Sequence, residues 1–229
     1  MLSILIGFLA CLGSVLPFAQ CGGTSYNWSG YVQANGAGYV NPDGTHDFQS
    51  VGAEWTVPTL DCAATPGALV AVWVGVNGYG ANPGLFQTGT TSTCAQDGTQ
   101  SSSAWWTDED EHYASQDLYL VVAGDVVYAR VWCNASGYWS YTIRDSTWTS
   151  TQLEPYQGIG ATAEWVVEDP ENLNTNKPFP FADFGVLHFS HMTPVVRGLT
   201  AIEMVTRSDW GMSAPSIVAN AGFDVTYGQ

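Results

Sequence analysis

The chain has 229 residues, of which 45% are hydrophobic and 13% aromatic, which is enough apolar material for one packed domain and argues against intrinsic disorder. It carries 21 acidic residues but only 5 basic ones, and the formal net charge of −16 excludes functions that depend on attraction to nucleic acid or to anionic membranes. Because most carboxylates have no cation to pair with, and their mutual repulsion falls as they protonate, the composition suits acidic surroundings.

The N-terminal stretch, residues 1–20, is a short apolar run without a charged side chain. Its length and position predict a secretory signal peptide rather than a membrane span. We assign the signal to residues 1–21, with cleavage between Ala19 and Thr24, and a single mature domain to residues 22–229. The protein is therefore expected to be secreted, and we expect it to be a monomer.

Cysteine usage fits an exported chain, because Cys11 leaves with the signal wherever cleavage falls between Ala19 and Thr24, and the spacing of the other four cysteines does not match a metal site. The remaining four, which allow three pairings, are Cys21, Cys62, Cys94 and Cys133. We expect Cys62 to pair with Cys94, and we leave Cys133 unassigned. Two N-glycosylation sequons begin at Asn27 and Asn134, and their use depends on the host.

The mature region consists of many short strand-like segments separated by glycine- and asparagine-rich turns. After an opening segment at 27–32, the predicted strands are 48–57, 69–77, 85–89, 103–107, a hairpin at 117–133, 138–149, 161–168, 181–189, 200–206 and 222–227. Helical periodicity nowhere lasts for more than about two turns. The sequence therefore predicts one all-β domain, an antiparallel two-sheet β-sandwich.

Two of these segments alternate in a way that assigns residues to faces. In 161–168, the side chains of Glu164, Val166 and Glu168 point one way and those of Trp165 and Val167 the other. In 69–77, one face carries four valines and the opposite face carries Ala71, Trp73, Gly75 and Asn77. An ionised carboxylate in an apolar site needs partners or stays protonated, which is how the pKa of a catalytic glutamate is tuned. The alternative is that Glu164 lies on the solvent-exposed face of a half-buried strand.

Familiar catalytic motifs do not occur in this chain. The four histidines form no H-E-x-x-H pattern and accompany no serine elbow, and the glycines form no phosphate-binding loop. His188 and His191 flank a short Phe-Ser pair, and we expect no metal site there. The acidic run at 108–111 is expected to be a solvated loop, with a weak calcium site as the alternative. The sequence thus predicts neither a metal nor a cofactor.

Seven motifs occur in order along the mature chain. They are N-W-S-G (27–30), W-x-V-P (55–58), V-W-V-G-V-N-G (72–78), F-Q-T-G (86–89), A-W-W (104–106), A-E-W-V-V-E-D (163–169) and F-A-D-F-G (181–185). Together they resemble the glutamic peptidases, also called eqolisins, from about Asn27 to Tyr227. The resemblance implies an acid-acting endopeptidase on a sandwich of the concanavalin A-like lectin/glucanase type.

The resemblance also implies residue roles. Glu164 and Gln87 would form a dyad in which Glu164 activates water and later protonates the leaving amine, while the Gln87 amide stabilises the oxyanion. Protein or peptide substrates are implied, and no metal, cofactor or covalent intermediate is needed. The implied substrate-binding residues are Trp28, Trp73, Asn77 and Trp105. Trp55 and Trp165 are expected in the core instead.

Near the proposed dyad the sequence departs from well-known fungal members, which carry acidic side chains where this chain has neutral ones. The neutral residues are Asn77, Thr91, Ser103 and Thr107. Because an ionised neighbour raises the pKa of a carboxyl, their presence argues against a very low pH optimum and for an altered cleavage preference. The acidic run at 108–111 could partly substitute.

Two other interpretations stay open at the level of sequence. One is a carbohydrate-binding or glycoside-hydrolysing β-sandwich, since tryptophans and carboxylates also suit sugars. A retaining glycosidase needs two carboxylates about 5 Å apart, whereas Glu164 and Glu168 would lie roughly 13 Å apart along a strand. The other is a secreted protein that has lost catalysis.

Overall fold

The computed structural model describes residues 22–34, 48–80, 84–108, 112–154, 158, 160–172, 175, 177–194, 199–205 and 213–228. The predicted signal peptide, including Cys21, lies outside the described residues. No helix long and apolar enough to span a membrane occurs in the described part.

The described residues form seventeen β-strands and no helix. In chain order the strands are β1 Gly23–Ser25, β2 Trp28–Ala34, β3 Ser50–Thr56, β4 Leu69–Val76, β5 Phe86–Cys94, β6 Gln100–Asp108, β7 His112–Val121, β8 Val126–Cys133, β9 Trp139–Arg144, β10 Thr149–Leu153, β11 Thr162–Glu168, β12 Glu171–Asn172, β13 Lys177–Pro178, β14 Val186–Thr193, β15 Thr200–Met204, β16 Ser213–Pro215 and β17 Phe223–Tyr227. The all-β prediction is confirmed for this part of the chain.

Most strands belong to one continuous ladder, in the order β10-β9-β8-β3-β14-β17-β16-β15-β2-β11-β4-β5-β6-β7. Its pairs are antiparallel, while β1 joins the edge of β15 in parallel and β12 pairs with β13 separately. The half from β15 to β7, here called the first sheet, folds over the half from β10 to β16, the second sheet, so that β4, β5 and β11 pack on β3, β8 and β9. The result is a nearly closed antiparallel sandwich.

The main core fills the space between the two sheets. The four valines of β4 point into it, together with Trp55 and Trp165, which are 1% and 0% exposed. Burying side chains of this size stabilises the fold by about 1.5–3 kcal/mol each. Their indole nitrogens are also satisfied, because Trp55 Nε1 donates to Thr90 Oγ1 and Trp165 Nε1 to the Gly52 carbonyl oxygen, both at 3.0 Å. The prediction that both tryptophans belong to the core is confirmed.

Several strand boundaries differ from the predicted ones. The segment 138–149 is two strands, because the Asp145 side chain accepts hydrogen bonds from the backbone N–H groups of Thr147 and Trp148 and so forms a turn between β9 and β10. Strand β5 continues to Cys94, and β14 begins only at Val186. The short strands β1 and β16 have too little alternation to be recognised from sequence.

Cys62 and Cys94 form a disulfide, as expected, and Cys133 is a half-buried free thiol. The expectation of a solvated acidic loop at 108–111 is wrong for its first residue. Asp108 ends β6 and is buried, because its pairing with Phe86 on β5 extends the ladder that far. The other three acidic residues lie outside the described part of the chain.

Candidate active site

Glu164 and Gln87 lie in one row of the first sheet. Glu164 on β11 pairs with Gly75 on β4, and Gly75 pairs with Gln87 on β5. Directly paired residues point to the same side of a sheet, so all three face away from the main core, on what we call the site face. Two strand spacings, about 10 Å in all, separate the backbones of Glu164 and Gln87. Their side chains can therefore approach one another from opposite sides of Gly75.

The space between these two side chains exists because residue 75 is a glycine. A Cβ atom there would lie 3.1 Å from each of three atoms, namely Gln87 Cβ, Leu85 Cδ1 and the Phe86 carbonyl oxygen. The alternation of β4 assigned Gly75 to this face, but its role as the gap between the two polar groups depends on the register of three strands.

Glu164 is 1% exposed, so the alternative that it lies on a solvent-exposed face is wrong. Neither of its carboxyl oxygens has a hydrogen-bond partner among the described residues. Burial raises the pKa of Glu164 to about 8, while the nearby Thr162 hydroxyl and Gly78 N–H favour the ionised form and limit the rise in pKa. The carboxyl of Glu164 therefore keeps its proton to a higher pH than an ordinary glutamate does.

Gln87 is 8% exposed, and its Oε1 atom also lacks a partner among the described residues. The Thr162 hydroxyl, two residues before Glu164 on β11, is a third buried polar group on this face that completes no hydrogen bond of good geometry, although it lies near enough to Glu164 to favour the ionised carboxylate. A buried polar group without a partner costs about 1–3 kcal/mol, and native structures contain few of them. Their concentration around Gly75 indicates a site that binds a ligand. Thr162 is not among the site residues predicted from sequence, although it lies two residues before Glu164 and the strand period places it on the same face.

The next row of the site face is aromatic. Trp73 on β4 and Trp105 on β6 both pair with Gly89, which lies between them on β5. A Cβ atom at residue 89 would collide with Trp73 Cβ at 2.6 Å and with the Val72 carbonyl oxygen. Both indoles belong to a small apolar cluster separate from the main core, whose other members are Ala71, Leu85 and Val166, with Trp28 packed against it. The structure therefore brings three of the sequence-predicted substrate-binding residues together.

Glu168 anchors this aromatic row. The Trp73 indole donates from Nε1 to Glu168 Oε2 at 2.7 Å, and Asn27 donates from Nδ2 to Glu168 Oε1 at 3.3 Å. Glu168 is four residues from Glu164, two rows away on the same strand face, and its carboxylate is engaged with these donors. Across Gly75 from Glu164 stands an amide rather than a second carboxylate. This arrangement does not support a retaining glycoside hydrolase.

Asn77, the fourth predicted substrate-binding residue, is fully buried at the end of β4 with a φ of 70°. Its Oδ1 accepts a hydrogen bond from the Ala161 backbone N–H at 2.8 Å, and its own N–H donates to the Thr162 carbonyl oxygen at 3.2 Å. Asn77 therefore holds the start of β11 in place, close to Glu164.

The other neutral positions also lie on the site face. Thr107 is buried and pairs with Gln87, while Thr91 pairs with Ser103 two rows further on. The Ser103 hydroxyl donates to Asp117 Oδ1 on β7 at 3.2 Å, so an acidic group from the edge strand does reach this face. Asp108, the first residue of the acidic run, instead pairs with Phe86 and points toward the main core, so it does not replace the missing acids.

The two histidines of β14 are engaged at the surface of the second sheet. His188 Nδ1 lies 2.6 Å from Asp224 Oδ1, and His191 Nδ1 lies 3.3 Å from Glu54 Oε1. Within the described ranges, three or more histidine, cysteine or acidic side chains never gather closely enough to hold a metal ion.

Comparisons with solved structures find similar folds among glutamic peptidases. Scytalido-glutamic peptidase, crystallised with a peptide-based transition-state analog, is 22% identical over 88% of this chain and 98% of that chain, with a TM-score of 0.67. SCP-B, an eqolisin in complex with the tripeptide Ala-Ile-His, is 21% identical over the same shares, with a TM-score of 0.63. Aspergilloglutamic peptidase from Aspergillus niger is 22% identical over 70% of this chain and 99% of that chain, with a TM-score of 0.56. At these identities the likeness establishes the fold.

A search of curated protein sequences finds no match. Residues 26–205, however, match the model of the Peptidase A4 family, and this range covers most of the chain. The match includes the Gln87–Gly75–Glu164 row and the aromatic row beside it. The chain therefore belongs to the Peptidase A4 family, the glutamic endopeptidases or eqolisins.

Proposed function

We propose that Glu164 and Gln87 are the catalytic dyad with which this glutamic endopeptidase hydrolyses peptide bonds. The observation that carries the proposal is the row in which a buried carboxyl and a buried amide, both with unpaired oxygen atoms, face each other across a glycine. A structural pair would be expected to satisfy its own hydrogen bonds.

The dyad contains the groups that amide hydrolysis requires. Ionised Glu164 takes a proton from water, and the water oxygen attacks the carbonyl carbon of the peptide. The Gln87 amide group can donate to the oxygen that becomes negative, an interaction worth roughly 3–4 kcal/mol when one donor is removed. Protonated Glu164 then gives its proton to the leaving nitrogen as the C–N bond breaks, and an acid and an amine result.

The raised pKa of Glu164 favours the first proton transfer. Burial makes the ionised form a stronger base than an ordinary carboxylate, and the second transfer remains feasible because the leaving nitrogen becomes a more basic amine as the C–N bond breaks. At acidic pH, Glu164 is then protonated in most of the free enzyme. A bound peptide and the attacking water would supply hydrogen bonds to the carboxylate and so lower its pKa in the complex.

Extended peptides are the proposed substrates, with Trp28, Trp73 and Trp105 as flat walls beside the dyad. The peptide-based analog and the tripeptide bound to proteins of similar fold support a peptide ligand. We further propose secretion as a monomer, supported by the predicted signal peptide and by a disulfide of the kind found in exported proteins. The two-sheet architecture supports a sandwich of the concanavalin A-like type.

The test is hydrolysis of a denatured protein substrate by the purified enzyme between about pH 3 and pH 7, in the presence of a pepstatin-type inhibitor. We expect cleavage that the inhibitor leaves unaffected, and a loss of about 100-fold or more in kcat for Glu164→Gln and for Gln87→Ala. The matched control is Glu203→Gln, which makes the same change at an exposed site on β15. Full activity in either dyad variant would remove the proposal.

A further inference from the structure

The two indoles that flank Gly89 differ in their hydrogen bonding. Trp73 Nε1 is committed to Glu168 Oε2 at 2.7 Å. Trp105, which is 5% exposed, has a buried Nε1 atom with no acceptor among the described residues. One of the two donors in this aromatic row is thus used by the protein, and the other is available to a ligand.

An unpaired buried indole is unusual among the tryptophans that the structure describes. The indoles of Trp55, Trp139 and Trp165 are buried in the core, and each donates to a hydroxyl or carbonyl oxygen at 2.8–3.0 Å. Trp148 also has an unpaired indole nitrogen, but it lies between β9 and β10, outside the aromatic row, and stacks on Tyr119 of β7. Trp105 therefore combines an unpaired donor with a position on the site face.

The position of Trp105 determines which part of a substrate it can reach. It pairs with Gly89, whereas Gln87 pairs with Thr107, so Trp105 and Gln87 are diagonal neighbours about 7–8 Å apart. An extended peptide presents a carbonyl group about every 3.3 Å. A peptide whose scissile carbonyl lies between Glu164 and Gln87 can thus present another carbonyl group to Trp105.

We propose that Trp105 is a substrate-binding donor whose indole N–H binds a non-scissile backbone carbonyl oxygen of the peptide. This inference rests on the proposed function and adds a polar role to a residue otherwise expected only to form an apolar wall. Because the contact is made to a carbonyl that does not react, it forms equally in the ground state and in the transition state. It therefore lowers KM without changing kcat.

The test is steady-state kinetics with a fluorogenic peptide and the Trp105→Phe variant, which keeps an aromatic ring but loses the donor. We expect KM to rise about threefold to tenfold, the size of one neutral hydrogen bond, with kcat unchanged. Trp148→Phe removes the unpaired indole outside the site and is expected to change neither constant. A fall in kcat at unchanged KM, or no change in either, would overturn the proposal.

A second variant removes the donor with less change of shape. Benzothienylalanine in place of Trp105 substitutes sulfur for the N–H group, so a loss of packing in Trp105→Phe can be separated from a loss of the hydrogen bond. We expect the same rise in KM for both replacements, and wild-type KM for the benzothienyl enzyme would overturn the proposal.

The substrate can be altered as well as the enzyme. In a series of peptides, each non-scissile carbonyl in turn is replaced by a thioamide, a weaker hydrogen-bond acceptor. One replacement is expected to raise KM in the wild type but not in Trp105→Phe, which would identify the partner carbonyl. If the wild type is active and no replacement depends on residue 105, only this inference fails. If the wild type cleaves no peptide, the proposed function fails with it.

Discussion

Glu164 and Gln87 pair with the same residue, Gly75, from opposite sides, although they are far apart in the sequence. The row they share faces away from the main core, and each brings an unpaired buried oxygen atom to it. The register of β11, β4 and β5 therefore determines where water and a peptide carbonyl could be held together.

Closing the gap between the two side chains should impair catalysis more than folding. In Gly75→Ala, the new methyl group would lie 3.1 Å from Gln87 Cβ and from Leu85 Cδ1, so Gln87 must shift. Displacement of a catalytic group by about 1 Å can cost 100-fold in rate, whereas overpacking of this kind costs about 1–3 kcal/mol of stability. We expect kcat/KM to fall at least tenfold in a variant that still unfolds cooperatively in urea.

Gly52→Ala is a suitable control because it crowds the second sheet to a similar degree. A Cβ atom there would lie 3.0 Å from the Ala129 carbonyl oxygen and 3.1 Å from Thr193 Oγ1. It should lower stability by a comparable amount and leave kcat/KM of the folded enzyme near the wild-type value. Equal losses of activity in both variants would show that crowding at Gly75 acts through general instability.

The faces of the central strands could be predicted from sequence, but their register could not. Period-two alternation assigns Trp73 to one face of β4 and the four valines to the other, and the structure confirms it. A slip of two residues between β4 and β11 would keep every face unchanged and yet place Trp73 rather than Gly75 beside Glu164. Pairing between distant strands is decided by the packing of the whole sandwich.

The burial of Glu164 on the site face could not be predicted from the alternation either. The pattern places Glu164 opposite the main-core side, which in a two-sheet sandwich would normally mean contact with solvent. Its near-complete burial depends on what covers the first sheet, and no local pattern encodes that. The prediction of a solvated loop at 108–111 is wrong at Asp108 for a related reason, because β6 extends along β5 as far as this residue and buries it.

The pH dependence of catalysis should reflect the buried carboxyl of Glu164. Since burial raises its pKa to about 8 in the free enzyme, kcat/KM should rise with pH over the acid range as the base becomes ionised. The corresponding rise in kcat, which reports the enzyme–substrate complex, should occur at lower pH. Measuring both profiles with one peptide would check this, and coincident profiles would contradict a pKa that falls on binding.

Thr162→Val tests the same carboxyl from within the protein. The Thr162 hydroxyl favours ionised Glu164, so its removal should raise the pKa and move the rise in kcat/KM to higher pH. Because pH 5 and pH 7 both lie below a pKa of about 8, kcat/KM should fall by a similar factor at both, and by a smaller factor above the pKa. Thr151→Val, an exposed change on the edge strand β10, should leave the profile in place. If kcat/KM of Thr162→Val instead rose at lower pH than in the wild type, this explanation would be wrong.

The disulfide should contribute to stability independently of the site. It links Cys62 with Cys94 across 32 residues, so its loss should lower the free energy of unfolding by about 2–4 kcal/mol. We expect a lower urea midpoint for the double variant Cys62→Ser/Cys94→Ser, and no further decrease when a reducing agent is added. Cys133→Ser, which removes only the free thiol, should respond to the reducing agent as the wild type does.

Asp169 should make the fold less stable as the pH rises. It directly follows β11, is fully buried, and neither carboxyl oxygen has a partner among the described residues. Burial, reinforced by the charges of Glu168 and Glu171, raises the pKa of Asp169 to about 8. The neighbouring titratable group on β17 is Tyr227, and Asp169 in turn helps to raise the pKa of that phenol. An unfolded aspartate has a pKa of about 3.9. Between these two values the folded state therefore holds a proton that the unfolded state has lost.

The expected contribution of Asp169 to the free energy of unfolding is highest in acid and falls by up to about 1.4 kcal/mol per pH unit from about pH 4 to about pH 8, in addition to a contribution of the same sign from buried Glu164. Asp169→Asn keeps a neutral side chain at every pH, so it should match the wild type near pH 4 and exceed it near neutrality. Urea unfolding at several pH values measures this difference. Glu203→Gln, an exposed carboxyl changed in the same way, should run parallel to the wild type. A parallel curve for Asp169→Asn would mean that Asp169 is ionised in the folded protein, and any higher stability in acid would then come from other buried carboxyls such as Glu164.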